Sequence, residues 1–140
     1  MRWFLLAPGP SMTKETAERV KGNPVCAVSV AYQLAPWADV IVANDKQWWR
    51  KYPDAKTLSG RKFSANRIDG VERVESTSYG SASNSGVLAL DVLKFLGATS
   101  IVLLGVDMHG THFFGPYTNG LGNTTAPRRT IHHKQYRDWG

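Results

Sequence analysis

The chain has 140 residues, of which 42% are hydrophobic and 20% are charged, which is typical of one globular domain with its own core and excludes a disordered chain. The net charge of +6 favours anionic partners such as phosphates, nucleotides or nucleic acid. The single cysteine, Cys26, excludes an intramolecular disulfide and a multi-cysteine metal site, and its apolar neighbours indicate a core thiol.

The N-terminal run predicts a first strand over Trp3–Ala7. It is too short, and meets prolines too early, for a signal peptide, and no run approaches the roughly 20 apolar residues of a membrane span. We therefore expect a soluble, cytoplasmic protein without a membrane span. The strand runs into Pro8-Gly9-Pro10-Ser11, and a helix follows through about Lys21. Its first amides could hold an anion, although proline and glycine also make a simple strand-to-helix turn.

The next segment predicts a second strand over Val25–Val30, a short helix or loop, and a third strand over Asp39–Ala43. The third strand ends at two polar residues, Asn44 and Asp45. A short aromatic helix follows. Its adjacent tryptophans, 48 and 49, lie about 100° apart on a helix, so we expect one in the core. The other could line a pocket or an interface, where half-buried packing is favoured over base stacking.

Residues 54–83 are the least informative part of the chain. Lys56–Leu58, Lys62–Phe63 and Val71–Val74 could each form a short strand, and Ser76–Ser85 has the serine and glycine content of a functional loop.

The clearest pattern spans residues 84–109. Asn84 or Ser85 is the expected N-cap of a helix over Val87–Leu96, which Gly97 ends. The apolar run Ile101–Leu104 then predicts a central parallel strand that is covered on both faces.

These elements predict a single α/β domain over residues 1–140, a Rossmann-like three-layer fold with a mostly parallel sheet. Because the chain ends at the start of a helix, we expect it to lack C-terminal elements of larger sheets of this kind. The following residues are predicted to be buried: Leu5, Val28, Val40, Val42, Leu90, Leu93, Val102 and Leu104.

Polar residues follow several predicted strands. In an open α/β sheet the carboxyl ends of the parallel strands share one edge, where ligands bind. The residues expected to bind a ligand or cofactor there are Gly9, Pro10, Ser11, Asn44, Asp45, Asn84, Ser85, Gly86 and Gly105. The catalytic candidates are Asp107, His109 and His133. No zinc-type spacing is present, but a polyphosphate could bring Mg²⁺ to Asp107 or Asp45.

Three segments carry a resemblance to known proteins. The turn LAPGPSM resembles the G-x-G-P-S-L opening of family 42 sialyltransferases and of the related domain-of-unknown-function-115 proteins, which include archaeal 6-hydroxymethylpterin diphosphokinases. NSGVLALDVLKFLGATSIVLLGVDM is similar to their S-G-x-x-A segment, which ends in G-x-D. APWADVIVANDKQWW resembles the strand and acidic-aromatic segment of the unknown-function members, which include phage and prophage proteins.

The resemblance implies a nucleotide-binding cleft. Gly9-Pro10-Ser11 matches the turn that approaches the phosphates, Ser85-Gly86 the helix start beside the nucleotide, and Gly105 with Asp107 the motif that faces the sugar. A late histidine is the general base in the sialyltransferases, and His132 and His133 are the candidates here. Pro8 replaces the usual asparagine, and proline offers neither an amide side chain nor a backbone N–H.

Three functions follow as alternatives. The first is a transferase that acts on a nucleotide or nucleotide-sugar, by glycosyl or diphosphoryl transfer. The second is a non-catalytic phage accessory protein, for nucleotide binding or for assembly, that keeps the fold and has lost the chemistry. The third is a nucleic-acid-binding protein that uses the basic end around Arg128, Arg129, Lys134 and Arg137. The sequence also leaves a homo-oligomer open.

Overall fold

A computed structural model of the protein describes residues 1–75 and 84–106. The strands are β1 (Arg2–Leu6), β2 (Val25–Val28), β3 (Val40–Val42), β4 (Arg61–Ser64), β5 (Glu72–Arg73) and β6 (Ser100–Leu104). The helices are α1 (Lys14–Arg19), α2 (Lys46–Lys51) and α3 (Ser85–Phe95), with two 3-10 helices at Ser29–Gln33 and Pro53–Thr57.

The six strands form one sheet in the order β5-β4-β3-β2-β1-β6, and every neighbouring pair is parallel. Successive residues of the inner strands point to opposite faces of the sheet. Leu6 and Ile41 pack in one core with α1 and α2, whereas Leu5 and Val40 pack in a second core with α3. Helices therefore cover both faces, which confirms the predicted α/β, Rossmann-like architecture.

The direction of the chain reverses at β1. From β1 to β5 the chain moves stepwise towards one edge of the sheet, and α3 then carries it back along the other face to β6, on the far side of β1. Such a reversal leaves a crevice between the loops that follow the two strands on either side of it, here β1 and β6.

The caps of α3 explain its position in the sequence. The Asn84 side chain accepts hydrogen bonds from the amides of Gly86 and Val87, as predicted for an N-cap. Gly97 follows the helix with a φ of 91°, in the left-handed region that glycine adopts without strain.

Among the described residues, the last strand is not central. In the described ranges β6 pairs only with β1 and lies at an edge of the sheet. Val102 and Leu104 are half-buried, and Leu103 is 43% exposed, whereas the other six predicted core residues are buried. An apolar run indicates that a strand is hydrophobic, but it does not show how many strands pair with it. That number depends on the topology of the sheet.

The prediction for the two tryptophans was wrong. Trp48 and Trp49 are both buried, and their rings meet edge to face with centroids 4.9 Å apart. Trp48 packs against Tyr32 and Tyr52. The Trp49 Nε1 donates to the Ala43 carbonyl at 2.8 Å. Tyr32, in the first 3-10 helix, and Tyr52, which precedes the second, extend the aromatic packing around α2.

The weakest segment was predicted in part. Lys62–Phe63 lies in β4, and β5 falls within Val71–Val74. Lys56–Leu58 is not a strand, because Lys56 and Thr57 belong to the second 3-10 helix and Leu58 caps it. Residues 76–83 lie outside the described ranges.

Candidate functional site

The loops that follow β1 and β6 are joined by backbone hydrogen bonds. The Ala7 amide donates to the Leu104 carbonyl at 2.8 Å, and the Gly9 amide donates to the Gly105 carbonyl at 2.9 Å. A Cβ added to Gly105 would lie 2.1 Å from the Ala7 carbonyl oxygen and 2.3 Å from the Met12 Cγ. Gly105 also has a φ of 78°. Glycine at this position therefore allows the two loops to approach one another.

The predicted phosphate turn is a β-turn. The Met12 amide donates to the Gly9 carbonyl at 3.0 Å, with Pro10 at the second position of the turn, where proline is favoured. Met12 is buried, whereas Pro10 and Ser11 are exposed. Because Gly105 already accepts from the Gly9 amide, a ligand in this crevice would meet Pro10 and Ser11 first.

A second polar cluster lies at the carboxyl ends of β3 and β4. Asn44 is 5% exposed, and its backbone N–H donates to Ser85 Oγ at 3.0 Å. Its side-chain Oδ1 accepts from the backbone N–H of Ala65 at 3.1 Å. Asn66 Nδ2 donates to the Asn44 carbonyl at 2.6 Å, and Ser64 Oγ donates to it at 3.2 Å. This network fastens the start of α3 to the ends of two strands.

Several predicted ligand residues are helix caps. The Asn84 Oδ1 accepts hydrogen bonds from the backbone N–H groups of Gly86 and Val87, so these two first-turn amides of α3 already have an acceptor. Asp45 caps α2, and its Oδ1 accepts from the Gln47 amide at 2.8 Å. The structure thus gives Asn84, Gly86 and Asp45 clear roles in holding the helices.

The predicted residues form two groups on one edge of the sheet. The first group, Gly9, Pro10, Ser11 and Gly105, lies where the loops after β1 and β6 meet. Asn44, Asn84, Ser85 and Gly86 meet at the end of β3, and Asp45 follows at the start of α2. Three strand spacings separate β6 from β3, which is about 15 Å. The catalytic candidates Asp107, His109 and His133 lie outside the described residues.

The sequence prediction missed Ser29, which lies between these two groups. It is the first residue after β2 and has a φ of 53°, the one positive φ among non-glycine residues of the described ranges. That conformation costs a non-glycine residue about 1–2 kcal/mol. The signal in the sequence was a polar residue that directly follows the buried run Val25–Val28, as Asn44 follows β3.

A cleft of about 420 Å³ lies elsewhere, between α3 and the β4–β5 edge. Its wall includes Phe63, Phe95 and the ion pair of Arg61 with Glu72, whose two hydrogen bonds measure 2.9 and 2.7 Å. The hydrogen bond from Arg61 lowers the pKa of the Glu72 carboxyl. Both side chains are about half exposed, so the ion pair contributes little to the free energy of unfolding. Its main effect is to fix the positions of the Arg61 and Glu72 side chains in the wall of the cleft.

The thiol of Cys26 takes no part in either group. It is fully buried beneath α3, as predicted, and burial raises the pKa of the thiol. A thiol with a raised pKa stays protonated at neutral pH and is therefore a poor nucleophile.

In the ranges 1–75 and 84–106, no group of three or more histidine, cysteine, aspartate or glutamate side chains could hold a metal ion. Over the same residues, every helix is too short or too polar to cross a bilayer. Comparisons of the chain with protein-family models, with curated proteins and with solved structures found no match.

Proposed function

We propose that this domain binds a nucleotide or nucleotide-sugar at the carboxyl edge of its sheet and acts as a transferase on it. The observation that carries the proposal is the reversal of strand order at β1, which makes the carboxyl ends of β1 and β6 the topological switch point of the sheet. In open α/β sheets this is the place where ligands bind. The resemblance of the turn and of the G-x-D segment to nucleotide-binding proteins gives the ligand class.

The roles of the residues follow from their surroundings. Ser11 is exposed on the β-turn that follows β1, and we assign it to contact with the phosphates. Asp107 is the second residue after Gly105 in the sequence, and we assign its carboxylate to the same ligand. A carboxylate repels phosphate, and Asp107 therefore contacts the ribose hydroxyls or a Mg²⁺ ion that the nucleotide brings.

The chemistry of transfer needs a base. An imidazole has the pKa suited to that role near neutral pH, and His109 and His133 are our candidates. The Ser85 hydroxyl, in contrast, is engaged with the Asn44 amide at 3.0 Å, so we assign it to holding α3 and not to the ligand.

A thermal-shift titration with CMP, UDP, ATP and GDP, with and without Mg²⁺, tests the proposal. A ligand at 100 times its Kd stabilises the folded state by about 2.7 kcal/mol. We expect at least one nucleotide to raise the Tm. Asp107→Asn should reduce that shift, and the matched control Glu18→Gln, in the exposed part of α1, should keep it. If no nucleotide raises the Tm, the proposal is wrong.

The alternative is an accessory protein that binds nucleic acid, which the net charge of +6 favours. Binding through phosphates weakens steeply with salt. Tight binding of single- or double-stranded DNA that disappears between about 50 and 200 mM salt, together with no nucleotide-dependent shift, would favour this alternative over the transferase.

A further inference from the structure

The cleft between α3 and the β4–β5 edge arises because one helix cannot cover this whole face of the sheet. α3 packs mainly against β2 and β3. Neighbouring strands lie about 4.8 Å apart and a helix with its side chains is about 10 Å wide, so a helix covers about two strands. β4 and β5 come next in the sheet, and the space of about 420 Å³ lies over them, beside α3.

The periods of strand and helix bring the lining side chains together. Arg61 and Phe63 are two residues apart in β4 and therefore point to one face of the sheet, and Phe63 packs in the same core as α3. Asp91 and Phe95 are four residues apart in α3 and share one side of the helix. Glu72 adds a wall from β5, so three separate elements form the cleft.

The guanidinium of Arg61 has a fixed position in this cleft. Its Nε and Nη2 donate to the two carboxylate oxygens of Glu72 at 2.9 and 2.7 Å. Its central carbon lies 5.0 Å from the centroid of the Phe63 ring, which is 1% exposed. The guanidinium therefore covers one ring and turns its other face outward. Planar rings stack on such a face.

Phe95 offers a second surface for a ring. It is the last residue of α3, and it is 71% exposed. The other exposed large apolar side chains of the described ranges, Met1 and Leu103, do not line the cleft. A single exposed apolar side chain is common on a protein surface, but Phe95 shares its cleft with Phe63 and Val74. A planar ligand that entered here would remove the phenyl ring from water, which is favourable.

The charge of the lining selects the sign of the ligand. Two guanidiniums, Arg61 and Arg73, face three carboxylates, Glu72, Glu75 and Asp91, so the formal charge is 2 − 3 = −1. The whole chain, in contrast, has a net charge of +6. An excess of carboxylates repels phosphate and attracts a cation. The cleft is therefore unsuited to a nucleotide and suited to an ammonium group.

We propose that this cleft binds a small aromatic amine. The planar ring lies between the Arg61 guanidinium and the Phe95 side chain, and the ammonium group lies beside the carboxylates. The site goes beyond the proposed nucleotide binding and does not depend on it, because none of its lining residues belongs to the two groups at the carboxyl edge of the sheet.

The test is an NMR titration of the isotopically labelled protein with two ligands that share one ring system and differ in charge. At neutral pH, tryptamine has an ammonium group and indole-3-propionate has a carboxylate. We expect tryptamine to shift the amide resonances of Phe63, Val74 and Phe95, with a Kd on the order of 1 mM for a ligand of this size. Indole-3-propionate should bind at least about ten times more weakly.

Three variants assign the binding to the cleft. Phe95→Ala should weaken tryptamine binding about fivefold, whereas Phe95→Tyr, which keeps the ring, should bind tryptamine as the wild type does. Leu103→Ala is the matched control, because it removes an exposed apolar side chain outside the cleft and should leave the Kd unchanged.

A fourth variant tests the role of charge. Glu72→Gln removes one carboxylate, brings the formal charge of the lining to zero and leaves Arg61 without its ion pair. The difference in Kd between the two ligands should then fall below about threefold. The variant should fold, since an ion pair that is half exposed contributes little to stability.

Three results would overturn the proposal. The first is that tryptamine at about ten times the expected Kd shifts no resonance of the cleft. The second is that indole-3-propionate binds as tightly as tryptamine. The third is that Phe95→Ala binds tryptamine as tightly as the wild type.

Discussion

Replacing Ser85 by alanine tests whether the polar cluster at the end of β3 holds the structure together. The Ser85 hydroxyl accepts a hydrogen bond from the backbone N–H of Asn44 at 3.0 Å, and Asn44 is 5% exposed. Ser85→Ala removes the acceptor and leaves too little access for water to replace it. The Asn44 amide then remains buried without that hydrogen bond.

The expected cost follows from two opposing terms. A buried donor without a partner costs about 1–3 kcal/mol. Alanine has a better helix propensity than serine by about 0.5 kcal/mol, and residue 85 is the first residue of α3. The net loss in the free energy of unfolding should be about 0.5–2.5 kcal/mol. With a urea m-value near 2 kcal/mol/M, the midpoint should fall by roughly 0.3–1.2 M.

The assay is urea unfolding followed by tryptophan fluorescence, which reports on the buried Trp48 and Trp49. Ser59→Ala is the control, because it deletes the same hydroxyl from an exposed loop and should change the stability by less than about 0.5 kcal/mol. Equal midpoints for the two variants would refute the reasoning, since the Asn44 amide would then have found another partner.

Three further predictions concern stability. Gly105→Ala should unfold the protein or cost more than about 3 kcal/mol, because its Cβ would lie 2.1 Å from the Ala7 carbonyl oxygen. The control Gly97→Ala, whose Cβ meets nothing within 4 Å, should cost only about 1 kcal/mol of backbone strain. Calorimetry measures both losses of stability, and equal losses would contradict this prediction. Leu93→Ala, on the buried face of α3, should cost about 2–5 kcal/mol in urea unfolding, and a loss below about 0.5 kcal/mol would place the side chain on the surface. Because the pKa of Glu72 is lowered in the folded state, Glu72 contributes stability above its unfolded pKa of about 4.3, and this contribution is lost as the pH falls through the folded pKa. The acid-unfolding curve of Glu72→Gln should lack this loss of stability. Identical acid-unfolding curves for the variant and the wild type would contradict the prediction.

The sequence determined the elements whose signals are local. Asn84 caps α3 because a carboxamide can accept the first amides of a helix, and Gly97 ends it because glycine adopts a φ of 91° freely. Alternation of buried strands with short helices indicated a parallel sheet, and the polar residues after β1 and β3 did fall on one edge of it. These inferences needed only neighbours along the chain.

Only the tertiary structure decided which strand lies inside the sheet and which polar groups are already engaged. The run Ile101–Leu104 is as apolar as a central strand, yet its position depends on where α3 returns the chain, and that return places β6 at the edge of the described sheet. Ser85 is polar and follows an asparagine, but its partner is the amide of Asn44, 41 residues away. The φ of Ser29 is likewise set by how β2 meets its helix. Long-range packing fixes each of these features, and no local pattern in the sequence encodes it.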